Sequence, residues 1–302
     1  MDTASKAAVW GACVALVFGC GAAGRTSQPA LTLRPACQEP GFWNGTRCHG
    51  STEGRAAIEA GATALREFRL EDATTLLEQA KTLGPYPHGD LVRLNEQLGI
   101  AYAYVDREAD AQRSFERLLE LEPAHVLSYT LSPKVTFVFE RVRKQQSERP
   151  TTAIDLSWPR TLEVSQAIPV EIAVESDPQK RLVQASLHIR KRGDRDFRLA
   201  DVTLPDAGSY RTVRLPAAGG QRPETIELFL SARDHHGNEI YLLGGPERPR
   251  EVALGYTPPT PWYKRTSLWV AAGVGAAVIT GGIVYALTRE PPALIGGSFQ
   301  SR

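Results

Sequence analysis

The sequence predicts a multidomain α and β protein: a short helical repeat module, then an antiparallel β-sandwich, then one transmembrane helix. Three observations predict it. Small and apolar residues recur at helical spacing from Arg55 onward, apolar residues alternate with period two after Pro150, and Leu268–Leu287 carries no charge. The 302 residues leave room for about two domains, and 42% hydrophobic against 23% charged residues is a globular composition. The formal net charge of +1 gives no field that would draw nucleic acid.

Residues 1–24 read as a signal peptide. Lys6 precedes an apolar run, Ala7–Gly19, of the length of a signal core and short for a membrane span. The stretch Leu16-Val17-Phe18-Gly19-Cys20 resembles a bacterial lipobox, which implies lipidation of Cys20; cleavage near Ala23 or an uncleaved anchor is the alternative. Residues 25–53 then form a linker with a hairpin. Asn44-Gly45 is a tight-turn pair, and two strands folding back on it bring Cys37 and Cys48 within bridging reach. A disulfide there implies an oxidising compartment, and free thiols are the alternative. A metal site is disfavoured, because His49 is the only further ligand and the spacing fits no zinc pattern.

Residues 54–147 carry the helical module. Leu98, Gly99, Tyr102, Ala111, Phe115 and Pro123 form one register, and Gly61, Ala73, Leu77, Ala80 and Pro85 form another 38 residues earlier. The first set resembles a tetratricopeptide repeat unit, in which small residues let two helices approach and large ones fill the space between pairs. Ser132-Pro133 reads as the start of a further helix with Val135, Phe139 and Val142 on its apolar stripe. The resemblance implies a partner-binding groove lined by Arg55, Ile58, Arg66, Arg93, Glu96, Ile100 and Tyr104. A generic helical bundle is the alternative.

Residues 152–256 alternate as strands do. Val170, Ile172 and Val174, then Val183, Ala185, Leu187 and Ile189, then Ile226, Leu228 and Leu230 each mark one face. Turn signals separate these runs, and six to eight short strands suit an immunoglobulin-like β-sandwich. Asp234, His235 and His236 read as solvated turn residues rather than metal ligands, and Arg190, Lys191, Arg192 and Arg195 as a solvated hairpin end. Residues 257–266 form a Pro-rich stalk, 267–288 the transmembrane helix with Gly273, Ala277 and Gly281 as a helix-packing face, and 289–302 a short tail.

The layout resembles tetratricopeptide-repeat envelope lipoproteins of Gram-negative bacteria. That resemblance implies a scaffold that is not an enzyme, with its main domains in the periplasm and anchored to a membrane. It would bind envelope proteins through the helical groove, with no cofactor and no catalytic or metal-binding residues. Partner identity and oligomeric state are not legible in the sequence. A glycan-binding sandwich using Trp158, Tyr210 and Phe229 is the second reading. No nucleophile elbow, phosphate-cradling loop or paired-histidine motif is present in the sequence.

Overall fold

A computed structural model describes residues 29–37 and 41–259 of the chain, with Pro261, Lys264, Ile279, Ile283, Val284 and Thr288 beyond them. Three short strands come before the helices. β1 (Arg34–Pro35) is followed by a hairpin of β2 (Gly41–Trp43) and β3 (Cys48–Gly50), closed by a Cys37–Cys48 disulfide with Cα atoms 5.6 Å apart. Asn44 Oδ1 accepts from the backbone N–H of Thr46 and Arg47, each at 3.0 Å, and Gly45 takes the left-handed φ of +100° that the turn requires. Replacing both cysteines with serine is expected to cost about 2–3 kcal/mol, the entropy of opening a loop of this length in the unfolded chain. Thermal melts with and without reductant check this. Wild-type protein under reduction should converge on the double variant, and overlapping melts throughout would show that the hairpin docks without its bridge.

Four helices make two hairpins: α1 (Thr52–Arg66) with α2 (Leu70–Thr82), and α3 (His88–Tyr104) with α4 (Glu108–Leu121). The same devices recur in both, 38 residues apart. Phe68 and Asp106 end their helices with positive φ, 59° and 63°. Behind each, a backbone N–H reaches back five residues, Arg69 to Ala64 and Arg107 to Tyr102, both at 2.9 Å, which satisfies the last carbonyls of the helix. Gly61 lies against Leu77 and Gly99 against Phe115; a Cβ at either glycine would come within 2.6 or 2.4 Å of the facing side chain. Only glycine permits that approach.

The fifth helix, α5 (Pro133–Ser147), breaks the pattern. It begins where Ser132-Pro133 predicts, with proline in the first turn. Its direction does not follow a tetratricopeptide array, in which consecutive helices run antiparallel. Ion pairs Lys134–Asp106, Arg141–Glu108 and Arg149–Glu116 ascend together, so α5 runs parallel to α4. The loop 122–132 carries the chain back along the module. Eleven extended residues reach about 36 Å, ample for the roughly 21 Å of a fourteen-residue helix. Leu127 of this loop is buried in the helical core, and His125 lies 3.7 Å from Glu96 on α3.

The remaining strands form two antiparallel sheets. A three-stranded sheet has the order β4 (Ala153–Ser157), β5 (Ile168–Ser176), β8 (Ser209–Leu215). A six-stranded sheet joins β1, β7 (Arg198–Val202), β6 (Gln184–Lys191), β9 (Glu224–Arg233) and β10 (Glu239–Leu243), with β11 (Arg250–Leu254) beside β10 on the same edge of β9. The sheets face each other across one core, with Val170, Ile172 and Val174 from β5 meeting Ala185, Leu187 and Leu230 from the larger sheet. Alternation places these side chains inward, as the period-two reading predicts.

The fold class therefore needs correcting. The chain is a mixed α and β protein of antiparallel sheets and, among the described residues, five helices, rather than a string of repeat module, immunoglobulin-like sandwich and membrane helix. Periodicity over 152–256 sees only local strands, whereas the larger sheet also takes Arg34–Pro35 from the N-terminal segment. Ile240 of β10 belongs to the helical core, so helices and sheets are not separate modules. Among the described residues no helix is long and apolar enough to cross a membrane. The expected span 267–288 lies outside the described residues apart from Ile279, Ile283, Val284 and Thr288, as do residues 1–24 with Cys20.

Candidate functional site

Where the helices meet the sheets, an open cleft of about 460 Å³ remains. Its walls come from four places: the C-terminal turns of α4 and α5, the linker 149–152, the β5–β6 loop at Pro178–Arg181, and Ile240 of β10. The parallel run of α4 and α5 puts both helix C-termini here, and the unpaired carbonyls of a last turn carry partial negative charge. Arginines complement them. Arg117, Arg143, Arg149 and Arg181 line the cleft, against Glu120 as its one acidic residue. Glu120 accepts from Arg117, Arg181 and Gln179, so one carboxylate already sits among three donors. Leu121, Pro123, Pro178 and Ile240 supply apolar wall. The side-chain nitrogen of Gln146 is buried there without a hydrogen-bond acceptor.

The second polar concentration is largely covered. The outward face of the larger sheet carries Ser186, His188, Ser231 and Arg233, the residues that alternation would give to solvent. The disulfide hairpin and the α2–α3 loop cover them, and Ser186, Ser231 and Arg233 are at most 1% exposed. Trp43 Nε1 donates to Asp201 Oδ1 at 3.0 Å, with the Arg34 guanidinium 3.4 Å above the indole. Tyr86 N donates to Asn238 Oδ1, Glu239 N donates to Tyr86 O, and His88 N donates to Glu239. Beneath these contacts the Arg233 guanidinium donates to Ser186 Oγ at 3.1 Å and Ser231 Oγ at 3.3 Å. Burial lowers the Arg233 pKa and raises that of Glu239, its cross-strand neighbour; each one's charge counters the other's shift.

His188 in this layer stacks on Phe229, centroids 4.2 Å apart, and lies 3.1 Å from Ser231 Oγ. Burial pushes its pKa down to about 3, with Arg233 and Arg34 acting the same way and Asp201 against them. Its folded pKa lies below the unfolded value near 6.5, so the native state requires neutral imidazole. This contribution to stability is complete above pH 6.5 and declines as pH falls toward 3, by up to about 1.4 kcal/mol per unit. His88, lowered by burial, acts in the same sense; Glu239 and Glu96, raised by burial, offset part of it. His188→Gln is therefore expected to flatten the fall in urea midpoint between pH 6.5 and 4. Parallel profiles for the two proteins would refute this.

The residues expected to line a groove divide between the helical core and the surface. Ile58 and Ile100 are 1% and 6% exposed and belong to the helical core. Tyr104 packs against that core, and Glu96 faces His125 of the loop 122–132. Arg55 pairs with Asp90 and Arg93 with Glu59, tying α1 to α3, while Arg66 donates to Thr63 Oγ1. The glycan-binding candidates do not share a face: Tyr210 is exposed, Trp158 packs on the sheet core, and Phe229 is buried on the far side of the other sheet. In the basic hairpin end, Arg190, Lys191 and Arg192 pair with Glu227, Glu224 and Glu251. Among the described residues no group of three or more His, Cys, Asp or Glu could hold a metal ion. Gly273, Ala277 and Gly281 lie outside the described residues.

The cleft arginines were not legible because no local spacing connects four segments of the chain. Comparison with known proteins adds no family. No protein-family model matches the chain, tetratricopeptide repeats included, and no curated protein matches it. With α5 running parallel to α4, this overturns the resemblance to a tetratricopeptide-repeat envelope protein.

Proposed function

We propose that this chain is a non-catalytic interaction scaffold that works on the oxidising side of a cell envelope and grips a partner protein in the cleft between helices and sheets. The cleft carries the reading: it is open, has both apolar wall and unsatisfied polar capacity, and is framed by two helix ends, a strand and two connecting segments. The Cys37–Cys48 bridge supports the compartment, since such bonds persist outside the reducing cytosol. The non-catalytic part draws on three titratable groups of the larger sheet that burial perturbs. Arg233 is buried and engaged by Ser186 and Ser231, and His188 and Glu239, partly buried, are engaged by the Ser231 hydroxyl and the His88 N–H, so these groups are held by structural partners.

Site-specific photocrosslinking in intact cells tests this. A photoreactive residue at Thr152, in the cleft, should trap a discrete envelope protein that the same residue at Thr212 does not. Identical adducts from both positions, or none from Thr152, would sink the proposal.

A further inference from the structure

The chemistry of the cleft also specifies what kind of segment it takes; this inference rests on the reading of the cleft as the docking site. We infer that the occupant is an acidic, extended peptide segment of the partner, with an apolar side chain flanked by carboxylates. Charge complementarity carries the argument. The lining holds four arginines and one glutamate, and Asp234, Glu140 and Glu116 just outside it pair with Arg117, Arg143 and Arg149, so what the cleft offers is arginines that can exchange carboxylate partners.

Two of those arginines are free to change partners. Arg143 pairs with Glu140 and Arg149 with Glu116, 3.6 Å away, and both arginine side chains are about half exposed, at 46% and 54%. Exposed pairs of this kind contribute at most about 1 kcal/mol, so a carboxylate held in a partly desolvated cleft competes with them. The deeper arginines show the geometry in use, because Glu120 is held between Arg117 and Arg181 as an incoming carboxylate would be. Gln146 adds a buried N–H donor without an acceptor, which a peptide carbonyl or carboxylate satisfies. Apolar wall at Leu121, Pro123 and Ile240 gives one aliphatic side chain a place between the charged ends. A nucleic acid would leave that wall uncovered.

Fluorescence anisotropy on the full chain tests the inference. The probes are a fluorescein-labelled peptide of Asp and Glu with one central Leu, its Asn/Gln counterpart, and a single-stranded oligonucleotide. The acidic peptide should bind at least about tenfold tighter than the amide peptide and weaken as salt rises. Arg143→Ala with Arg149→Ala should remove about tenfold of that affinity with an unchanged melting temperature, since both side chains are exposed. Equal binding of acidic and amide peptides would overturn the charge assignment, while a Thr152 adduct in cells would still stand for the cleft. Absence of peptide binding together with absence of that adduct would remove both readings. Tighter binding of the oligonucleotide through the same arginines would also overturn the inference, in favour of phosphate.

Discussion

Arg233→Ala is expected to cost about 3–5 kcal/mol, the range for breaking a buried charge arrangement by removing one partner. The guanidinium is 1% exposed and donates to Ser186 and Ser231, and its charge offsets the burial of Glu239 on the neighbouring strand. Without it, Glu239 keeps only the His88 N–H and the Ser231 hydroxyl, and its already raised pKa rises further. Two companion variants separate charge from volume. Arg233→Met keeps most of the bulk and should cost clearly less than alanine if packing dominates. Arg233→Ala combined with Glu239→Gln should recover part of the loss if the stranded carboxylate dominates. Urea denaturation at pH 7 reads all three. A loss under 1 kcal/mol for the alanine variant would mean that water enters beneath the hairpin and solvates the layer.

Phe115→Ala should be similarly damaging, at about 3–5 kcal/mol, for a different reason. Its ring is fully buried, lies directly against the Cα of Gly99, and meets Phe139 edge-on at 5.4 Å and 80°. The first contact holds α3 to α4 and the second holds α4 to α5, so one truncation loosens both seams. Ring pairs of this geometry add about 0.5–1.5 kcal/mol beyond the area they bury. Because α5 supplies Arg143 and Gln146 to the cleft, hydrogen exchange in 133–147 should speed up more than in 52–82. Uniform acceleration across all five helices would show instead that the helices open as one unit.

Much of the local architecture was readable before the fold. The matching small residues at Gly61 and Gly99 mark two helical hairpins because a helix can approach another closely only where Cβ is missing. The Asn44-Gly45 turn and its flanking cysteines announce the bridged hairpin through backbone geometry that few other residues tolerate. Direction was not readable. Ser132-Pro133 says where a helix begins but not which way it runs, and the loop 122–132 decides that through tertiary contacts such as Leu127 in the core. The covered polar layer is not legible because Ser186, His188 and Ser231 alternate with apolar neighbours as solvent-facing residues do; only tertiary docking over them reverses the assignment. β1 was missed because two residues have no period to detect. Of the expected groove, Ile58 and Ile100 pack into the helical core, because an apolar side chain on a helix is read equally well as core or as groove from spacing alone.

The turned-over final helix has a consequence for how such a module can change in size. Arrays of stacked hairpins lengthen when a unit is duplicated at an end whose face matches the face it must join. Here α5 presents the reverse polarity to anything following it, and it leads straight into the linker and β4. At the other end, α1 follows directly on β3 of the bridged hairpin, with Ser51 buried between them. Both ends are stoppered. The helical part is thus a spacer of fixed length, and related chains should differ in loops and surface charge while keeping the same number of hairpins.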